Sequence, residues 1–430
     1  MPVLKPTTSR RRKAADAAAL VLLLLAATFG ASLEALSRPA RQQQQPPAQG
    51  SRPRRVTPPA NAEEPRRPAD RNGPSRQTPT PQRASEEVDE NEVVRVETQL
   101  INVPALVTDR TGRPVANLRA ENFTLYEDGQ PQRIASFATT DAPFEVALLL
   151  DTSGSTRAEV GLIRRAALAF IDSLRPGDRV ALLSFSTAQE GQERLAVVEV
   201  KARLTSDRDA LREAVESIGS SNGTPFYDGL ERVAAEVFRE PARDEVRGRR
   251  ALVALTDGVD SSSAADYEEA RQSLRRAGVV CYFVQVNTED FVESRLLQDC
   301  EDDGALRLSR AQMQRYRRLF APGLDPSDFG SFCRLGQFER MDISRKLYRL
   351  ARAEMNDLAR DSGGRTFPVS DLQEARAAFR QVAQEIGTQY SLGYYPTNKA
   401  RDGRFRTIRV QVRGVTGAQV RAREGYVPGS

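Results

Sequence analysis

The stretch Phe144–Leu150, reading FEVALLL, constrains this chain most, because it is mostly apolar and stops abruptly at Asp151. A continuous apolar run of that length fits a strand buried on both faces, the situation of a central strand in a parallel sheet. A short polar loop, DTSGSTR, follows it, and then a helical pattern from Ala158 to Leu174. Strand, polar loop and helix recur along the chain. Strands are expected at Phe144–Leu150, Arg179–Phe185, Ala196–Lys201, Arg250–Leu255, Val279–Val286 and Arg365–Val369. Helices are expected at Ala158–Leu174, Asp209–Ile218, Pro225–Arg239, Ala264–Ala277, Arg345–Asp361 and Leu372–Ile386. This alternation predicts an α/β fold with a doubly wound, Rossmann-like, mostly parallel sheet. The short step from Phe185 to Ala196 suits a hairpin, so the third strand is expected as an antiparallel edge.

The sequence around this core divides the chain. A basic cluster, Arg10–Lys13, precedes an Ala/Leu-rich run at 17–33, the layout of a signal peptide over 1–36 or of a retained membrane anchor. Residues 37–90 are rich in Pro, Gln and Arg and hold little to bury, so they read as a disordered linker. Residues 91–141 alternate as strands do, with Asp128-Gly129 at a hairpin bend. Residues 388–430 supply further short strands. These flanks are expected to pair into one antiparallel, β-sandwich-like domain around a central domain at 142–387. An insertion at 287–343 is too long for a simple connection. It holds Cys300 and Cys333, expected as a disulfide in an exported protein, with Cys281 a free core thiol.

Composition narrows the chemistry. The chain has no histidine, which removes Ser-His and Cys-His nucleophilic pairs and every imidazole-bound metal. The net charge of +5 resides at the N-terminus. Residues 1–85 hold 15 Lys/Arg against 5 Asp/Glu, so the other residues carry 48 basic and 53 acidic groups, or −5. A nucleic-acid surface is therefore not expected.

Ligands of open α/β sheets bind beyond the carboxyl ends of the strands. Three stretches fall at that end, DTSGS at Asp151–Ser155, GTP around Thr224 and TDG around Asp257, with a softer fourth at the loop Asn287–Thr288. Asp151, Ser153, Ser155, Thr224 and Asp257 offer three hydroxyls and two carboxylates, oxygen donors suited to a hard divalent cation. Taken singly, each has an ordinary use, since Ser155 and Thr224 could cap helices and Asp257-Gly258 could be a turn. Asp228 and Asp260 read as surface or capping groups.

Together these residues resemble the metal-ion-dependent adhesion site of von Willebrand factor A-type domains. The resemblance implies that Ser153, Ser155 and Thr224 bind Mg²⁺ (or Mn²⁺ or Ca²⁺) directly, with Asp151 and Asp257 acting through waters. It also implies that an Asp or Glu carboxylate of a protein partner completes the site. The flanks Phe123–Ile134 and Tyr390–Pro396 resemble, more narrowly, bacterial proteins related to this family. The expected role is a non-enzymatic, metal-dependent protein-binding module of the adhesion type. It would be exported, either secreted or periplasmic, or else anchored in the bacterial cell envelope through residues 17–33. A structural envelope protein with a vestigial site is an alternative, as is a metal-dependent phosphohydrolase with Asp151 as nucleophile. Position 153 carries Ser where that chemistry expects a second carboxylate.

Overall fold

The computed structural model describes residues 100–156, 159–240, 246, 248–297 and 307–428. The signal or anchor segment, the Pro/Gln/Arg-rich linker and Cys300 lie outside them. Among the described residues no helix is long and apolar enough to cross a membrane.

The core is a six-stranded sheet built from β5 (Glu145–Leu150), β6 (Arg179–Glu190), β7 (Glu193–Thr205), β8 (Arg250–Thr256), β9 (Val280–Val286) and β10 (Arg365–Val369). Its order is β10-β9-β8-β5-β6-β7. All neighbours are parallel except β7, which pairs antiparallel with β6 at the edge. The apolar run of β5 is explained by its two covered faces. Val146, Leu148 and Leu150 enter one hydrophobic cluster, while Ala147 and Leu149 enter the other. The first cluster is closed by α1 (Val160–Asp172), α2 (Arg208–Glu216) and α8 (Ala375–Gly387). The second is closed by α3 (Phe226–Arg232), α4 (Tyr267–Ala277) and the end of α7 (Gln337–Ser362). Helix α1 turns Ile163, Ala166, Ala167, Phe170 and Ile171 inward, the spacing of a single helical stripe. At the amino ends of the strands, buried Glu145 pairs with Arg179 at 2.7 Å and with Arg250 at 3.0 Å. It thereby ties β5 to both neighbours and leaves the opposite end of the sheet free for the site.

Some boundaries differ from expectation. The β6–β7 hairpin runs well past Phe185, ending in the polar pairs Gln189–Arg194 and Glu190–Glu193. These residues are held by edge pairing and bury little, so hydrophobic patterning gave no signal of them. The helix expected from Pro225 to Arg239 ends at Arg232 and continues as one π-helical turn, Val233–Val237.

The inserted region is folded. It contributes α5 (Glu289–Leu296), α6 (Arg310–Phe320) and the first turns of α7. Its own apolar cluster includes Leu296, Met313, Tyr316, Phe329, Phe332, Ile343 and Leu347. Cys333 is disulfide-bonded and Cys281 is free and buried.

The flanks pair with each other. One sheet has the order β13-β1-β11-β4 and a second β14-β12-β2-β3. Their strands are β1 (Ile101–Thr108), β2 (Phe123–Glu127), β3 (Gln130–Gln132), β4 (Ile134–Ala138), β11 (Tyr390–Tyr394), β12 (Arg406–Val412), β13 (Gln419–Ala422) and β14 (Gly425–Tyr426). Val103, Leu125, Tyr390, Leu392 and Tyr394 share one core. Asp128 and Gly129 both have positive φ, at 47° and 80°, as a tight hairpin turn requires. Buried Glu127 accepts hydrogen bonds from Tyr394 (2.6 Å) and Tyr426 (2.8 Å) and faces Arg406.

Candidate metal centre

Strands β5 and β8 are adjacent and in register, Leu150 opposite Leu255, so both chains leave the sheet side by side. Asp151 N–H donates to Leu255 O at 2.9 Å, which brings the Asp151 loop against Thr256 and Asp257. Asp151 Oδ1 accepts from Ser153 N–H (3.0 Å) and Oδ2 from Thr256 Oγ1 (2.6 Å). Ser155 Oγ donates to Asp257 Oδ2 at 3.1 Å and lies 3.3 Å from Ser153 Oγ. Four of the five expected residues therefore form one hydrogen-bonded group across two strand ends.

Thr224 reaches the same rim on its own loop. Ser221 N–H donates to Thr152 O (2.8 Å), joining that loop to the Asp151 loop. Thr224 N–H donates to Ser261 Oγ (2.8 Å), and Ser261 N–H donates back to Thr224 O (3.0 Å). The helix that follows is capped by Asp260, whose Oδ2 accepts from Phe226 N–H (2.8 Å) and Tyr227 N–H (3.3 Å). The capping role open to Thr224 is thus taken by Asp260, and the Thr224 hydroxyl stays outside it. Ser155 caps no helix either, since its hydroxyl serves Asp257. Asp228 also caps backbone, accepting from Ala264 and Ala265 N–H.

Gly258 makes the turn after Asp257 possible. Its φ is 75°, and a Cβ there would lie 2.6 Å from Met355 Cε. A side chain would be both strained and crowded.

Burial governs the electrostatics of the two carboxylates. Asp151 and Asp257 are 1% and 4% exposed, and among the described residues no Lys or Arg forms an ion pair with either. Burial, and then the neighbouring Asp257 charge, pushes the Asp151 carboxyl up to about 7. Burial likewise raises Asp257. Among the described residues the two buried carboxylates are flanked by hydroxyl and amide donors without a positive charge, and the three hydroxyls are neutral oxygen donors. The set fits a small divalent cation. Among the described residues no group of three or more Cys, Asp or Glu is placed to hold a metal. The candidate set lies below that count because most of its donors are hydroxyls.

Sequence reasoning placed the loop at Asn287–Thr288 at this end of the sheet without a role for it, and missed Thr256 and Tyr348 behind the site. Thr256 donates to Asp151, and Thr288 Oγ1 donates to Asp257 Oδ2 at 2.6 Å. The Tyr348 hydroxyl lies 2.7 Å from Thr288 Oγ1. The TDG stretch contained Thr256 in plain view. Nothing in the sequence marks Tyr348, on a helix far along the chain.

No curated protein matches the chain. Among solved structures, proximal thread matrix protein 1 from the mussel byssus is 12% identical with a TM-score of 0.35. The match covers 58% of this chain and 49% of that one, so the chain spans about half its length. The conserved hypothetical protein BatB from Bacteroides thetaiotaomicron is 17% identical, with a TM-score of 0.34 over 56% of this chain and 98% of that one. A von Willebrand factor type A structure from Catenulispora acidiphila is 14% identical, with a TM-score of 0.35 over 77% and 75%. The family model for the von Willebrand factor type A domain matches residues 145–309. That span runs from the first core strand through the loops bearing all five candidate residues, and the chain therefore carries a von Willebrand factor type A domain.

Proposed function

We propose that this protein is a cation-dependent binding module that grips a carboxylate of a protein partner at the rim of its central sheet. The observation that carries the reading is the buried pair Asp151 and Asp257, bridged by serine hydroxyls and, among the described residues, forming no ion pair with a basic side chain. Ser153, Ser155 and Thr224 would hold Mg²⁺ or Mn²⁺ through hydroxyl oxygens, with the two carboxylates supplying charge from behind. Neutral direct donors leave such an ion electrophilic, and it gains from an acid group brought by a partner. Hydroxyl donors also make the site exchangeable, as reversible binding requires.

An enzymatic reading with Asp151 as nucleophile has less support. Both its oxygens already accept hydrogen bonds, and its raised pKa disfavours the ionised form. The basic cluster and apolar run at 10–33 support export, with that run as a cleaved leader or an anchor. The test is capture of envelope proteins by the immobilised full chain in Mg²⁺, in chelator, and with Ser153→Ala. Specific capture should vanish in the last two. Capture that survives both refutes the reading.

A further inference from the structure

The loop that follows β8 lies between the body of the domain and the inserted region. Gly258 approaches Met355 of α7, and Asp260 caps α3. Asp257, Val259 and Ser261 each also make a contact with the inserted region. Asp257 accepts from Thr288, the residue just before α5. Val259 packs against the insert's apolar cluster. The Ser261 carbonyl accepts from Ser309 Oγ at 2.7 Å. Ser309 also caps α6, its Oγ accepting from Gln312 N–H, so its place is fixed by that helix.

Each polar contact leads to a candidate ligand. Ser309 holds Ser261, and Ser261 clamps the backbone of Thr224 through both its Oγ and its N–H. On the other side, the single proton of Thr288 Oγ1 goes to Asp257, so the Tyr348 hydroxyl donates to Thr288. Tyr348 is 4% exposed, and α7 fixes it rigidly.

We propose that the inserted region and the helix α7 that closes it set the cation affinity of the rim site, with Ser309 positioning Thr224 and Tyr348 positioning Asp257. This inference rests on the cation site proposed above. Partners of metal ligands commonly govern affinity by about 10–100-fold, because they orient the ligand and tune its charge. The insert is thus part of the site's supporting frame, and a partner or ligand that moved α6 or α7 would change how tightly the ion is held.

The test is titration of the full chain with Mn²⁺, followed by electron paramagnetic resonance, in wild type and in Ser309→Ala, Ser309→Thr, Tyr348→Phe and Ser294→Ala. Ser294 lies in the insert on α5 and bonds only its own helix, to Phe291 O, so it serves as the control. Ser309→Ala and Tyr348→Phe should each weaken Mn²⁺ binding about tenfold. Ser309→Thr should restore it, and Ser294→Ala should match wild type. Unfolding in chelator is measured alongside: a general loss of fold lowers that midpoint, whereas lost positioning lowers affinity beyond any such change. Wild-type binding with both variants within twofold overturns the positioning alone. A wild type that binds no Mn²⁺ overturns the cation site and the positioning with it.

Discussion

Replacing Asp151 by Asn should remove a pH dependence that the buried carboxylate pair imposes on the metal-free protein. In the native state burial and the Asp257 charge raise Asp151 from 3.8 to about 7. The folded chain therefore holds this proton more tightly than the unfolded chain does. The resulting stability is fully present below pH 3.8, declines as pH rises, and is gone above about pH 7. Linkage with these two values gives a loss on the order of 2–3 kcal/mol between pH 5 and pH 7.5. Asp151 is 1% exposed, so solvent screens little of this. The assay is urea unfolding in chelator at both pH values. Wild type minus Asp151→Asn is the quantity to read, because it cancels the carboxylates remote from the Asp151–Asp257 pair and reports the pair itself. Wild type should lose on the order of 2–3 kcal/mol more than the variant on going to pH 7.5. With saturating Mn²⁺ the sign should turn, since the ion prefers ionised carboxylates and stabilises more as pH rises. Parallel pH profiles for wild type and variant in chelator would refute the electrostatic account of the site.

Other perturbations test the frame. Glu127→Ala leaves Arg406, 3% exposed, without its carboxylate and strips Tyr394 and Tyr426 of their acceptor. A loss of about 3–5 kcal/mol is expected by urea unfolding. Leu148→Ala, at the centre of β5, should cost about 2–5 kcal/mol by thermal or urea unfolding. Gly258→Ala forces a side chain into a left-handed conformation beside Met355. It should cost about 1–2 kcal/mol in unfolding and weaken Mn²⁺ binding as the Asp257 loop shifts.

The doubly wound core could be read from the sequence because its strands are covered on both faces, which leaves long apolar runs such as ALLL before Asp151. The candidate residues were legible for a related reason. Strand ends are marked where apolar residues stop, and Asp151 and Asp257 stand at those marks. The β6–β7 hairpin and its antiparallel edge were legible from the short step between the two strands, but its polar outer end was not, because Gln189 and Arg194 are held by backbone pairing and exposed to water. The insert was seen as an interruption but not as a folded layer, since its core joins residues as far apart as Leu296 and Leu347. Tyr348 was invisible for the same reason. Its role depends on helix α7 crossing behind Thr288, a long-range placement that no local pattern encodes. Asp260 shows the converse, where a capping role legible in the sequence relieves Thr224 of that duty.

The pairing of the two flanks sets an order on how this molecule can assemble. Residue 101 lies opposite 394, and Leu125 opposite Val410, so β1 and β2 meet these mates only after the whole central domain has been synthesised. Until then β1 and β4 have nothing between them, because β11 is the strand that joins them. The central domain must therefore mature while the early strands wait with open edges, and a chain cut short after α8 would keep those edges bare for a neighbouring molecule to seize.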